Sequence, residues 1–135
     1  PMAAVCSPEY PLAQHKSLTF RELARNQAEI SFISCSPRHI SDAVFTPQSQ
    51  LIASFPPERR YFTQSIESAL TLARARIGFT LYPDIPKCRE SGLCYIPVTD
   101  LPRLRFGVYY PRSSSDYPVL KRFLALIAEE LKEKG

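Results

Sequence analysis

The side chains that could do chemistry lie in three short polar clusters: Ser7; Ser34, Cys35 and Ser36; and Thr63, Gln64 and Ser65. Each follows an apolar run that reads as a strand, and the third also precedes a run that reads as a helix. Hydroxyls, an amide and the N–H groups of a helix start suit a small anion. The first amides of a helix have no partner within it and carry the positive end of its dipole. In open α/β sheets ligands sit beyond the carboxyl ends of strands. Ser7, Ser34, Ser36, Gln64 and Ser65 are therefore the candidate ligand-binding residues, for a carboxylate or a sulfate-like or phosphate-like group. Ser65 also suits a helix N-cap, and residues 34–37 also suit a plain turn. Gln64 is the sharper candidate, because no cap requires its side chain.

Catalysis and metal binding find less support. His15 and His39 stand apart from each other and from any paired nucleophile, and Glu9, Glu22, Glu29 and Asp42 show no paired arrangement. Four glycines, none in a glycine-rich loop, argue against a nucleotide-phosphate cradle. Cys6, Cys35, Cys88 and Cys94 follow no C-x-x-C spacing and read as buried or incidental thiols. Cys88, between Lys87 and Arg89, is the one whose flanking charges would favour a thiolate. The expectation is a binding domain with no enzymatic activity, no metal and no cofactor.

The elements that position these clusters follow from periodicity and punctuation. A chain of 135 residues, 44% apolar and 22% charged, can bury one core without disulfides. Residues 2–6 read as a buried strand stopped at Ser7-Pro8. Thr19 with Glu22 makes a capping box for a short helix whose Phe20, Leu23 and Ala24 share a face. Residues 30–33 read as a strand ending in a small-residue loop over 34–37. The stretch 38–55 has helical spacing at Ile40, Ala43 and Val44, but Pro47 is expected to break or shorten the helix. After a brief strand over 60–63 comes a helix over 65–76 with an apolar stripe of Ile66, Ala69, Leu70, Ala73 and Ile77. Ser65 caps it, and Glu67 at its start and Arg74 and Arg76 at its end complement its dipole. The apolar run 77–82, closed by Pro83, reads as a strand buried on both faces. Strands are expected over 93–98 and 104–110, then a last helix capped by Asp116 with Leu120, Phe123, Leu124, Ile127 and Leu131 on one side. This order predicts an α/β fold with a mostly parallel sheet flanked by helices.

The net charge of +4 and pI near 9.0 come from scattered arginines, including Arg21, Arg25, Arg59, Arg60, Arg74, Arg76 and Arg89, with no basic reader helix. No apolar run reaches the length needed to cross a bilayer and no signal-like core opens the chain, so the expected location is cytoplasmic.

Motif order carries a family resemblance. Ser7-Pro8-Glu9-Tyr10-Pro11-Leu12-Ala13, then Ser17-Leu18-Thr19-Phe20-Arg21-Glu22-Leu23-Ala24, then Gln64-Ser65-Ile66-Glu67-Ser68-Ala69-Leu70-Thr71-Leu72-Ala73 leading to Ile77-Gly78-Phe79-Thr80-Leu81-Tyr82-Pro83, resemble the effector-binding domain of LysR-type transcriptional regulators. Gly92-Leu93 and Ile96-Pro97-Val98 fall in the same register. Tyr10 replaces the histidine usual before Pro-Leu-Ala, and Arg76 stands where a second glycine often ends the helix.

The resemblance implies a periplasmic-binding-protein-like subdomain with two hinge-crossing strands. Residues 1–13 would form a hinge strand and the end of the first effector subdomain, 14–101 the second subdomain, and 102–135 the return strand and last helix of the first. It implies a ligand-sensing fragment without the winged helix-turn-helix, so that DNA is contacted only through an absent N-terminal domain. It also implies a small organic or inorganic anion as effector, with added weight on Ser7, Gln64 and Ser65, and no membrane partner. Homo-oligomers, dimeric or tetrameric in the parent, would associate through Arg60, Tyr61, Phe62, Ile66, Ala69, Leu70 and Ala73, although the same stripe suits an internal core. A solute-binding protein of the periplasmic type and a ligand-free α/β interaction module remain as alternatives.

Overall fold

A computed structural model of the chain describes residues 1–35, 42–105 and 107–132. The chain divides into two compact units, Pro1–Leu104 and Arg105–Gly135.

The first unit is built on a five-stranded sheet in the order β3-β2-β4-β1-β5, with β1 at Met2–Cys6, β2 at Phe32–Cys35, β3 at Arg60–Thr63, β4 at Phe79–Pro83 and β5 at Cys94–Pro97. β2 is parallel to β3 and β4, whereas β1 is antiparallel to β4 and β5. Four strands therefore run one way and β1 alone runs against them, which makes a mixed sheet that is mostly parallel in direction.

Every residue of β1 is fully buried, and alternation sends its side chains to two different cores. Met2, Ala4 and Cys6 join Phe32, Phe79, Leu81 and Ile96, beneath Leu23 of α1 (Phe20–Arg25) and Leu51 of α2 (Asp42–Ser54). Ala3 and Val5 meet Leu70 of α3 (Ile66–Arg74), whose Ala69 and Ala73 cover Ile33 and Cys35. Phe32, Phe55 and Phe79 stack as a tilted triad with ring centroids 5.3–6.1 Å apart. Helices on both faces explain why β2 and the start of β4 are buried without alternation, Ser34 and Thr80 included.

Local chemistry sets the helix ends. Thr19 and Glu22 form the expected capping box, with Thr19 Oγ1 accepting from the Glu22 amide at 3.2 Å and Glu22 Oε2 accepting from the Thr19 amide at 2.6 Å. At the far end of α3 the Ile77 amide reaches the Leu72 carbonyl and the Arg76 amide the Ala73 carbonyl, both at 3.1 Å. This is a Schellman ending, and it places Arg76 at the left-handed position with φ of 64°. A side chain there costs about 1–2 kcal/mol relative to the right-handed region. Arg76 pairs with Glu9 in the loop after β1.

Four expectations need correction. The second strand begins at Phe32 and runs through Cys35, so Ser34 and Cys35 are strand residues rather than a loop. α2 runs through Pro47 without a break; proline removes one backbone bond inside the helix, and burial of Pro47 with its neighbours Gln48 and Leu51 holds the helix in place. Among the described residues of 104–110 no strand forms, since an extended segment needs a bonded neighbour. Asp116 does not cap the last helix, α4 (Pro118–Glu130): Tyr117 holds the cap position without a side-chain bond, proline supplies the first turn, and Asp116 lies 3.8 Å from Lys121 Nζ. Within α4, Leu120, Leu124 and Ile127 are half-buried, whereas Val119, Phe123 and Leu126 are exposed.

Just before β4, Gly78 lets the backbone come close to the segment that enters β2. A Cβ there would stand 2.4 Å from the Ser31 carbonyl oxygen, which accepts the Phe79 amide at 2.9 Å. Gly78→Ala is therefore expected to force β2 from β4 and lower stability by about 1–3 kcal/mol, the usual cost of overpacking, read from the urea unfolding midpoint. An unchanged midpoint would show that the contact relaxes freely.

Candidate functional site

Strand direction decides which polar groups meet. Because β2, β3, β4 and β5 run together, Cys35, Thr63, Pro83 and Pro97 end on one rim of the sheet, joined by the start of β1 through the Met2–Pro83 register. This carboxyl-end rim holds Ser34, Gln64 and Ser65. Thr63 Oγ1 donates to the Ser34 carbonyl at 3.2 Å, tying β3 to β2 just before the turn into α3. Ser65 caps α3 as expected, accepting from the Ser68 amide at 3.2 Å and donating to Ser68 Oγ at 2.9 Å. Gln64 is exposed, and among the described residues its side chain makes no hydrogen bond.

The same rim carries an ion pair that sequence reasoning missed. The Asp84 amide donates to the Pro1 carbonyl at 2.8 Å, while its buried carboxylate accepts both Arg89 Nε and Arg89 Nη2 at 2.7 Å. The Arg89 guanidinium also lies 5.5 Å from the centre of the Tyr95 ring. Hydrogen bonding to Asp84 pushes the Arg89 pKa above its ordinary value. Burial raises the Cys35 thiol, partly offset by a hydrogen bond with Thr63, and burial followed by neighbouring Tyr95 raises the Tyr82 phenol. Both therefore stay neutral near pH 7. The rim presents neutral donors, a helix N-terminus with Glu67 in its first turn, and the Asp84–Arg89 ion pair.

Ser7 lies elsewhere. β1 runs antiparallel, so its carboxyl end sits beside the start of β4, with Val5 opposite Thr80, on the rim away from Cys35 and Thr63. There Ser7 Oγ accepts the Glu9 amide at 3.3 Å and the Ser7 carbonyl accepts the Tyr10 amide at 3.0 Å, a turn that hands the chain to the 3-10 helix at Pro11–Gln14. Tyr10, in the place of the family histidine, is buried and its hydroxyl accepts the Ser31 amide at 2.8 Å. Ser36 lies outside the described residues.

Ser34 is 1% exposed, with its hydroxyl donating to Gln48 Oε1 at 3.3 Å. The same oxygen accepts the Cys35 amide at 3.1 Å. Gln48, buried on α2, thus satisfies the last turn of β2 from thirteen residues away; the only signal in the sequence was a polar residue on the inner side of a helix. The expected association residues also separate. Tyr61 and Phe62, 39% and 67% exposed, lie on β3, whose outer side has no strand partner among the described residues, and Arg60 and Ile66 are half-buried. Ala69, Leu70 and Ala73 are buried against the chain's own sheet, so the α3 stripe serves the internal core.

Gln48→Leu keeps the volume but removes the acceptor. It should leave the Cys35 amide unsatisfied and lower stability by about 1–3 kcal/mol, with faster hydrogen exchange at the Cys35 amide than elsewhere in β2. Uniform exchange along the strand would contradict this role.

Among the described residues no group of three or more His, Cys, Asp or Glu is placed to hold a metal, and no helix is long and apolar enough to cross a membrane. The sequence matches the LysR substrate binding domain over residues 1–132. Among solved structures the chain is similar to the BenM effector binding domain with its effector benzoate, at 17% identity over 98% of this chain and 62% of that one, with a TM-score of 0.59. It is also similar to CbnR, a LysR family transcriptional regulator, at 15% identity over 98% and 45%, TM-score 0.56. A third similar fold is the regulatory domain of MetR, a LysR family regulator from N. meningitidis, at 16% identity over 96% and 59%, TM-score 0.54. No curated protein sequence matches the chain. It spans between 45% and 62% of the length of these solved chains. The family match across nearly all of its length, together with a mixed sheet covered by helices on both faces, shows that the chain belongs to the LysR substrate-binding-domain family.

Proposed function

We propose that the chain is the ligand-sensing part of a LysR-type transcriptional regulator and that it takes a small organic or inorganic anion at the carboxyl-end rim. The observation that carries this reading is the convergence of Thr63, Gln64 and Ser65 at the N-terminus of α3, beside the ends of β2 and β4 and the start of β1. Unpartnered helix amides favour an anion. Gln64 reaches solvent with no competing bond among the described residues, and Ser65 holds the helix start in place. Ser34 contributes through its carbonyl link to Thr63 rather than through a free hydroxyl. Ser7 is left out, because its rim is the other one.

On this reading the protein senses rather than catalyses, acts in the cytoplasm, and contacts DNA only through a winged helix-turn-helix carried elsewhere in the regulator. Self-association uses the unpaired side of β3, with Tyr61 and Phe62 as its apolar anchors and Arg60 and Ile66 at its margin. The family match does not favour the periplasmic-type solute-binding protein or the ligand-free interaction module.

The test is calorimetric titration of the regulator containing this chain with a panel of small carboxylates, benzoate among them, together with sulfate and phosphate. For the anion that binds, Gln64→Ala should weaken affinity by about tenfold or more, the loss of one hydrogen bond to a charged group, with no change in Tm. Equal affinity would remove Gln64 from the site, and no binding of any carboxylate, sulfate or phosphate would overturn the anion assignment.

A further inference from the structure

The antiparallel register of β1 and β5 sets Cys6 directly opposite Cys94. Residues opposed in this way project to the same face with Cβ atoms about 4.5–5.5 Å apart. A disulfide spans Cα separations of about 4.4–6.8 Å, which includes both spacings of an antiparallel pair. Both cysteines face the same core: Cys6 lies among Met2, Ala4 and Ile96, and Cys94 packs against that cluster. The other two thiols are placed differently, with Cys35 on the opposite face under Ala69 and Ala73 and Cys88 exposed in the turn Pro86–Cys88. The pair is also asymmetric, since Cys6 is fully buried whereas Cys94 is partly open to solvent.

We propose that Cys6 and Cys94 are an oxidative modification site, a thiol pair that closes to a cross-strand disulfide when a hydroperoxide reaches Cys94. The Cys94 thiolate attacks the terminal peroxide oxygen, the O–O bond breaks, and Cys94 becomes a sulfenic acid as the other oxygen leaves and takes up a proton. The Cys6 sulfur then attacks the Cys94 sulfur, the S–O bond breaks, and hydroxide departs with the Cys6 proton as water. Two thiols lose two hydrogens, and with hydrogen peroxide as oxidant two waters form. Burial, with Cys94 beside it, pushes the Cys6 thiol up to about 12, so Cys6 waits as a protonated resolving partner rather than a competing entry point.

Register also sets the spacing that the bond must span. The Val98 amide donates to the Met2 carbonyl at 3.0 Å, which makes Met2 and Val98 a hydrogen-bonded pair. Alternation along the ladder then places Cys6 and Cys94 in the same class, the wider of the two spacings. That class has Cα atoms about 5.5 Å apart, a common disulfide separation, so closure asks only that the two Cβ atoms approach to about 3.5–4.5 Å. The bond would staple the outer strand β5 to the buried strand β1 on the rim away from the proposed anion site.

The experiment exposes the reduced 135-residue chain to hydrogen peroxide under native conditions, then blocks remaining thiols with iodoacetamide in urea and maps peptides by mass spectrometry. Free thiols should fall from four to two. The intact mass before blocking should drop by two hydrogens, a Cys6–Cys94 linked peptide should appear, and dithiothreitol should reverse all three. Cys94→Ala, shown folded by circular dichroism, should abolish the linked peptide, while Cys35→Ala and Cys88→Ala should keep it. Oxidation of Cys94 to sulfinic acid with Cys6 still alkylated in urea would overturn the proposal. So would a linkage through Cys88 or between two chains.

Discussion

Met2–Cys6 is the strand on which the rest of the first unit depends. It is buried along its whole length, donates side chains to the cores on both faces and binds a strand on each side. Its reversed direction is the constraint that matters for function. An all-parallel sheet would bring the ends of all five strands to one rim. With β1 reversed, that rim receives the start of β1 and loses the polar turn that follows it. The polar clusters are thereby divided into a set that shares a surface and a set that does not.

That division also explains what the rim can bind. The groups gathered there are hydroxyls, an amide and helix N–H groups, and the charged pair present, Asp84 with Arg89, already neutralises itself. Such a surface binds through directed hydrogen bonds rather than through net charge. The chain's formal charge of +4 therefore says little about its ligand. The acidic Glu67 in the first turn of α3 further moderates attraction at the helix start, so specificity rests on geometry.

Much of this was legible in the sequence wherever the determining contacts are local. The capping box at Thr19 and Glu22, the cap at Ser65 and the brief strand over Arg60–Thr63 follow from residues within a few positions of one another. Features set from a distance were not legible. Ser34 and Cys35 look like a loop because they are small and partly polar, yet Gln48 on another element satisfies them and lets the strand continue. Periodicity carries no information on direction, so nothing local revealed that Ser7 ends a reversed strand. The apolar stripe of α3 was equally ambiguous between partner and core until the sheet beneath it was seen. Arg76 marks the same limit from the other side: the position demands a left-handed backbone, and the chain meets that demand without the residue best suited to it.

The proposed site puts the effector at the carboxyl-end rim and not at the rim of Ser7. The most direct measurement is an amide chemical-shift titration of the regulator containing this chain with the carboxylate that binds it. The largest changes are expected at Ser34, Cys35, Thr63, Gln64, Ser65 and Asp84, with little at Ser7, Tyr10 or Gly78. Changes concentrated on Ser7, Tyr10 and Gly78, with the first group silent, would contradict it.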